Sequence, residues 1–369
     1  MNQTSASPTL DTLFQRILSR RPEAIALVDP LNKPRVTGQR PKRLTYAQAD
    51  RAIAALAAHF VEAGLPAHSV IAMQLPNTVE FVLTLLAAHR AGLVVALIPQ
   101  LWRQAEIVAA LNRTSARAIV TMDRIDGVLH SDVAMNAAAE VFSIRHVAGF
   151  GHALPEGMAS LDDALARDIK PSRTAIQDGR KAAIISFDVT SDGFRAVPRP
   201  HLSLIAGGLA VSLEANVAQG ASPISAFAPS SFAGLVSSLA VWLLTGGTLS
   251  LHHPFDFDTL EEQIVDQRCD TLIVPAQLAL RLDEAGLAAR LPSLRNVIGL
   301  WRTPEQVTSS PPWTAHGVSM TDVYVRRGRA VRCAPHGRRR HACAGQAGTA
   351  WRAAPSRGIV DLWRNPADA

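Results

Sequence analysis

From Thr45 onward, short apolar runs alternate with segments whose apolar residues recur every three or four positions. A chain that keeps repeating strand then helix has few folds open to it, because each crossover lays a helix on the sheet and returns the next strand parallel to the last. Thr45-Tyr46-Ala47-Gln48 reads as a capping box, followed by the stripe Ile53, Leu56, Ala57, Phe60 and Val61 up to Gly64. Val70–Met73 reads as a buried strand, Asn77 and Glu80 open a helix that stops at Gly92, and Leu93–Ile98 is a strand ending at Pro99. A helix over Gln104–Asn112 leads into the strand Ala118–Thr121.

Residues 122–180 are expected to hold a strand near Val141–Val147, a short helix near Leu161–Ala166, and loops. From Lys181 the rhythm returns, with a strand at Ala182–Ser186, a polar loop, and a helix from His201 to about Gln219. Strands then follow near Pro223–Phe227, Thr248–Leu251, Thr271–Val274 and Asn296–Leu300, separated by helices over 231–244, 258–268 and up to Ala285. Between Ala215 and Phe255 there is no charged side chain, but Pro229, Gly246 and Gly247 interrupt the stretch, so it reads as a buried core helix rather than a membrane span.

The 369 residues leave room for two or three compact units, and 48% hydrophobic against 18% charged residues excludes disorder along the whole length. Three cysteines cannot build a disulfide framework, and the N-terminus has no apolar run suited to a signal peptide; a reducing, cytoplasmic setting is expected. The net charge of +6 is unevenly placed. Residues 325–369 hold ten arginines, no lysine and two aspartates, or +8, whereas residues 1–324 carry −2. Arg, Ala, Gly and Pro supply 28 of those last 45 residues, and neither a helical nor a strand period survives there.

Two functional readings of this tail are open. Arg338-Arg339-Arg340 with Trp351 and Trp363 have the makings of an arm for nucleic acid or another partner. Cys333, His336, His341 and Cys343 are zinc-ligand types, though their C-x2-H-x4-H-x-C spacing matches no common zinc module. The preferred reading is that the tail, with 33 arginines to four lysines in the whole chain, is an out-of-frame translation of a G/C-rich gene. Its charge then implies no nucleic-acid partner, and no metal site is expected.

The segment Phe187–Val197, between a strand and the helix from His201, is the informative loop. Hydroxyl groups, a glycine and a cation after a strand are how nucleotide phosphates are commonly held, since N–H and O–H donors converge on the anion. An ordinary polar turn accounts for the same residues. Asp188 and Asp192 oppose the phosphate reading by charge.

Leu44-Thr45-Tyr46, Leu75-Pro76-Asn77 with Glu80 and Phe81, Arg90-Ala91-Gly92 and Pro99, in this order, resemble the N-terminal domain of the acyl-adenylate-forming (AMP-binding) superfamily. Pro229 with Phe232, Gly234 and Leu235, then Gly246-Gly247-Thr248, Phe255-Asp256, Val274-Pro275 and Ser293-Leu294-Arg295 extend the resemblance over about residues 10–324. It implies an α/β fold of two helix-flanked, mostly parallel sheets packed together, with subdomains of about 10–180 and 181–324, then an irregular tail. Relatives of this kind join a carboxylic acid to AMP from ATP with Mg²⁺, then pass the acyl group to a thiol such as coenzyme A.

The family's phosphate loop reads T-S-G-T-T-G-x-P-K-G-V, and the resemblance places Thr190, Ser191, Gly193 and Arg195 as phosphate-binding residues. It places Ser231, Phe232 and Gly234 along the pocket for a small carboxylic acid. Both early loop glycines are replaced, by Val189 and Asp192, and the proline by Phe194. After Asp322-Val323-Tyr324 the family continues into an aromatic-Gly-x-Thr-Glu segment, but here Val325-Arg326-Arg327-Gly328 follows. The expectation is an acyl-CoA-synthetase-like scaffold that is truncated and inactive or severely impaired; a divergent but active ligase is the alternative. Sequencing the DNA around codon 324 is expected to show the sheet-and-helix alternation resuming in one of the other two frames. If neither frame carries it, the out-of-frame origin is wrong.

Overall fold

A computed structural model describes residues 7–167, 169, 178–191, 193–286, 290–326 and 330–336. In chain order the strands are β1 (Ile25–Val28), β2 (Arg43–Thr45), β3 (Val70–Met73), β4 (Val94–Leu97), β5 (Ala118–Met122), β6 (His146–Phe150), β7 (Ala159–Ser160) and β8 (Ala182–Thr190). They continue as β9 (Gly193–Pro200), β10 (Pro223–Ser225), β11 (Leu249–Leu251), β12 (Thr271–Pro275), β13 (Asn296–Trp301), β14 (Ser319–Arg326) and β15 (Ala330–Pro335). One sheet has the order β15-β14-β13-β12-β10-β11-β1-β2 and the other β7-β6-β5-β3-β4-β8-β9. Pairing is parallel except at three places, β1 with β2, β8 with β9, and β14 with β15. The expected architecture of two mostly parallel, helix-covered sheets is therefore the one observed.

Three details differ from the sequence reading. β1 and β2 join the sheet of β10–β15, while β8 and β9 complete the sheet of β3–β7, so the sheets do not divide at residue 180. The strand expected near Val141–Val147 lies at His146–Phe150, because Val141 is instead buried beneath the end of the preceding helix, His130–Ala139. Regular structure also continues past residue 324. β14 runs to Arg326 and β15 pairs back along it, with Val331 buried and Cys333 packed against the core.

Four N-terminal helices matter for the argument: α1 (Leu10–Arg20), α2 (Lys33–Thr37), α3 (Tyr46–Glu62) and α4 (Val79–Arg90). The capping box read from sequence opens α3, where Thr45 Oγ1 accepts from the Gln48 amide at 3.2 Å and Gln48 Oε1 accepts from the Thr45 amide at 2.8 Å. Every residue of α4 is buried, so its polar side chains must be satisfied by the protein itself. Glu80 accepts from Lys33 Nζ at 2.7 and 2.8 Å and pairs with Lys42 Nζ at 2.7 Å, while Lys33 Nζ also reaches Asp29 Oδ2 at 2.6 Å. Asp29 Oδ1 accepts the Val79 amide at 2.7 Å, closing the link between β1 and α4.

The same helix is tied at both ends. Just ahead of it, Asn77 Nδ2 donates to the carbonyls of Ser225 (2.7 Å) and His252 (3.3 Å), on the other sheet's side. At its last turn Arg90 pairs with Asp11 of α1 and Asp50 of α3, both at 2.8 Å.

Between Ala215 and Phe255 the expected buried helix is Phe232–Leu235, a π turn at Val236–Ala240, and Val241–Thr245. Among the described residues no helix is long and apolar enough to cross a membrane. Gly246 ends this helix in the left-handed region (φ 72°), and at Gly247 a Cβ would collide with the Ala221 carbonyl. The Gly247 carbonyl accepts from Tyr46 Oη at 2.7 Å and Trp242 Nε1 at 3.0 Å, anchoring an aromatic cluster of Phe14, Tyr46 and Trp242.

Burial alone would favour protonation of Glu80, but the two ammonium groups outweigh it and pull its pKa from 4.5 down to about 2. A lowered carboxylate pKa stabilises the fold above the unfolded value, and that contribution is lost as pH falls from about 4.5 toward 2. Glu80→Gln is expected to cost about 3–5 kcal/mol by leaving buried ammonium charge under-compensated. In urea unfolding followed by tryptophan fluorescence, the variant should lose most of the wild-type decline over that acidic window. An unchanged urea midpoint would refute the assignment.

Candidate ligand-binding hairpin

The expected polar loop Phe187–Val197 is a β-hairpin. β8 and β9 pair antiparallel from Ala182↔Pro200 to Thr190↔Gly193, so only residues 191 and 192 lie between the strands. The physical reason is a period-2 pattern within Ser186-Phe187-Asp188-Val189-Thr190, polar and apolar in turn, which suits a strand with two different faces. On one face Phe187 and Phe194 pack on Trp102, with ring centroids 5.1 and 4.6 Å away, and the Arg113 guanidinium sits 4.4 Å from the Phe194 centroid. Burying those rings favours continued strand pairing over an open loop.

The other face carries the polar chemistry. By register and alternation it presents Ser186 and Asp188 from β8, and Arg195, Val197 and Arg199 from β9. Arg195 is exposed and stands opposite Asp188. Arg199 is only 4% exposed. Its Nε donates to Ser186 Oγ at 3.1 Å, its guanidinium lies 4.2 Å from the Phe232 ring centroid, and its Nη2 is 3.7 Å from Asp188 Oδ1. Burial lowers the Arg199 pKa, while the Asp188 charge opposes that shift.

The residues expected from sequence are thus only partly brought together. Thr190 and Gly193 are register partners at the hairpin end, and Ser191 follows Thr190 as an exposed residue. Gly193 has φ +112°, so its role is the turn geometry that a side chain would strain. Ser231 is the N-cap of Phe232–Leu235, its Oγ accepting from the Gly234 amide at 2.9 Å. A Cβ on Gly234 would sit 2.8 Å from the Ala228 carbonyl oxygen, so this glycine serves close packing. Phe232 is buried and meets the hairpin through Arg199. Sequence reasoning missed Arg199, although counting by twos from Arg195 puts it on the same strand face.

Four further features bear on ligands. Cys333 Sγ donates to the Ala210 carbonyl and His336 Nδ1 contacts Asp322 at 2.8 Å, while His341 and Cys343 lie outside the described residues. His201, at the head of its helix, is buried against His89, and burial with the His89 charge takes its pKa from 6.5 down to about 2. That keeps it neutral, with Nδ1 accepting the Leu10 amide at 3.4 Å. A surface depression of about 540 Å³ is lined by Leu31, Glu261, Glu262, Val265 and Asp266, whose three carboxylates repel an anion. Among the described residues no group of three or more His, Cys, Asp or Glu side chains is arranged to hold a metal ion.

A triphosphate does not fit the hairpin as it stands. Every second N–H group of β8 and β9 is turned on the facing strand and the rest point away from it, so they do not converge on one anion, and Asp188 shares the face with the two arginines.

The profile of the family described as AMP-binding enzyme matches residues 14–316. A medium-chain fatty-acid–CoA ligase of Escherichia coli K12 is 24% identical over 212 residues, 57% of this chain and 36% of that protein. A salicyl-AMP ligase/salicyl-S-ArCP synthetase of Mycobacterium tuberculosis H37Rv is 28% identical over 139 residues, 38% of this chain and 24% of that protein. The apo structure of Mycobacterium smegmatis MbtA superposes with a TM-score of 0.75 at 19% identity, covering 90% of this chain and 59% of that one. The chain thus matches less than two thirds of these relatives' lengths, while the family profile takes in most of its own. With two parallel sheets tied through α4 and a profile match that runs from α1 to the residues before β14, the chain belongs to the AMP-binding enzyme family.

Proposed function

We propose that this chain keeps the scaffold of an acyl- or aryl-CoA ligase but does not form acyl-adenylates by itself. The observation that carries this reading is the closed hairpin, in which Thr190 pairs with Gly193 and only two residues remain to form a loop. Transfer of an acyl group to AMP builds negative charge on phosphate, and the rate depends on donors and cations positioned in advance. A paired strand instead points its N–H groups alternately to its two sides, so they cannot converge on one phosphate. The end of β14 supports the same reading, because Val325 and Arg326 are register partners of Val331 and Ala330 where relatives are expected to place a Thr-Glu segment. ATP, Mg²⁺ and coenzyme A are the family's co-substrates and cofactor, and a small carboxylic acid is its substrate class.

Pyrophosphate release with ATP and Mg²⁺ tests the reading. Medium-chain fatty acids and salicylate come first, being the acid classes named for the two relatives. The expected outcome is release no faster than without acid. Acid-dependent turnover above that background, lost in Arg195→Ala, would establish the divergent ligase instead.

A further inference from the structure

We propose that Arg199 is the centre of an oxyanion site on the inner face of the hairpin, and that Asp188 occupies this site as a built-in counter-ion. The inference goes beyond the loss of adenylation, since it concerns equilibrium binding of a free anion. Arg199 has 5% of its side chain exposed, so its charge has given up most of its hydration. A buried guanidinium normally recovers that cost through several charge-assisted hydrogen bonds, often two parallel bonds to one carboxylate or phosphate. Here Nε bonds a neutral hydroxyl, Ser186 Oγ, and Nη2 is buried with no hydrogen-bond partner. The nearest carboxylate oxygen, Asp188 Oδ1 at 3.7 Å, balances the charge from beyond hydrogen-bond reach.

The surroundings suit an oxyanion. The Phe232 ring covers one face of the guanidinium and leaves its N–H edges for ligand. Ser186 accepts from Arg199, which leaves its own hydroxyl proton to donate. Arg195, opposite Asp188 on the neighbouring strand, adds a second positive charge at the exposed side. Asp188 has 38% of its side chain exposed, so it can swing into water and make way for a better-placed anion. The ligand class is a carboxylate or a phosphate group; both offer oxygens to the same fork.

Isothermal titration of the full chain at low ionic strength, with inorganic pyrophosphate and salicylate as separate probes, tests this. Asp188→Asn removes the counter-ion and is expected to tighten binding of at least one probe by about tenfold, the worth of one charge-assisted hydrogen bond. Adding Arg199→Lys, which keeps the charge but loses the fork, should abolish that gain, with circular dichroism confirming the fold. Asp258→Asn makes the same change in net charge at an exposed position on a helix of the other sheet and should leave affinity unchanged. A gain for pyrophosphate alone assigns the site to phosphates, and one for salicylate alone to carboxylates. No gain in Asp188→Asn, or a gain that persists beside Arg199→Lys, would overturn the proposal. Neither result depends on turnover, so the adenylation assay can fail or succeed independently.

Discussion

Three buried charges and a fourth that is half-buried hold the architecture in place. Asp29 follows β1 of one sheet, Lys33 lies on α2, Lys42 precedes β2, and Glu80 sits in the first turn of α4, which covers the other sheet. The set is neutral overall, and Lys33, Asp29 and Glu80 have no exposed side-chain surface. Removing such charges from water costs several kcal/mol each, so the arrangement is stable only while all partners are in reach. That condition makes the network a gauge of position. Sliding one sheet past the other by a residue would strand an ammonium or a carboxylate in the core.

Much of the sequence resemblance turns out to rest on this framework rather than on chemistry. Asn77 joins the carbonyls of Ser225 and His252 across the sheets, Glu80 gathers two lysines, and Arg90 pairs with Asp11 and Asp50. Gly246 and Gly247 end a helix and receive the Tyr46 and Trp242 donors. Each demands a particular residue for a packing or charge reason. Their survival therefore speaks for the fold and is silent about catalysis.

What the sequence concealed has an equally physical basis. β1, four residues long, and β2, three, are too short to show a period, and their place is fixed by distant partners. The hairpin was missed for a different reason. Its alternation is clear over Ser186–Thr190, but hydroxyls, a glycine and acids crowd the same stretch and read equally well as a turn. Only the packing of Phe187 and Phe194 on Trp102 distinguishes the two, and those partners lie far apart in the sequence. Regular structure past residue 324 was hidden in the same way, since β15 is specified by pairing with β14 inside a compositionally biased segment.

The ties between the sheets and the polar face of the hairpin answer to separate constraints, although His89 of α4 also reaches the Ala183 carbonyl at the start of β8. The ties through Asn77, Glu80 and Arg90 involve α1–α4, the strands β1 and β10, and the segment after β11, and none of them touches β8 or β9. Substitutions on the polar face of the hairpin can therefore accumulate without loosening the sheets. Val189, exposed on the face of Phe187 where the family loop has a glycine, likewise takes no part in those ties. A scaffold held together through α4 is compatible with the proposed loss of a phosphate cradle, and the buried cation on β9 then has Asp188 as its nearest counter-charge.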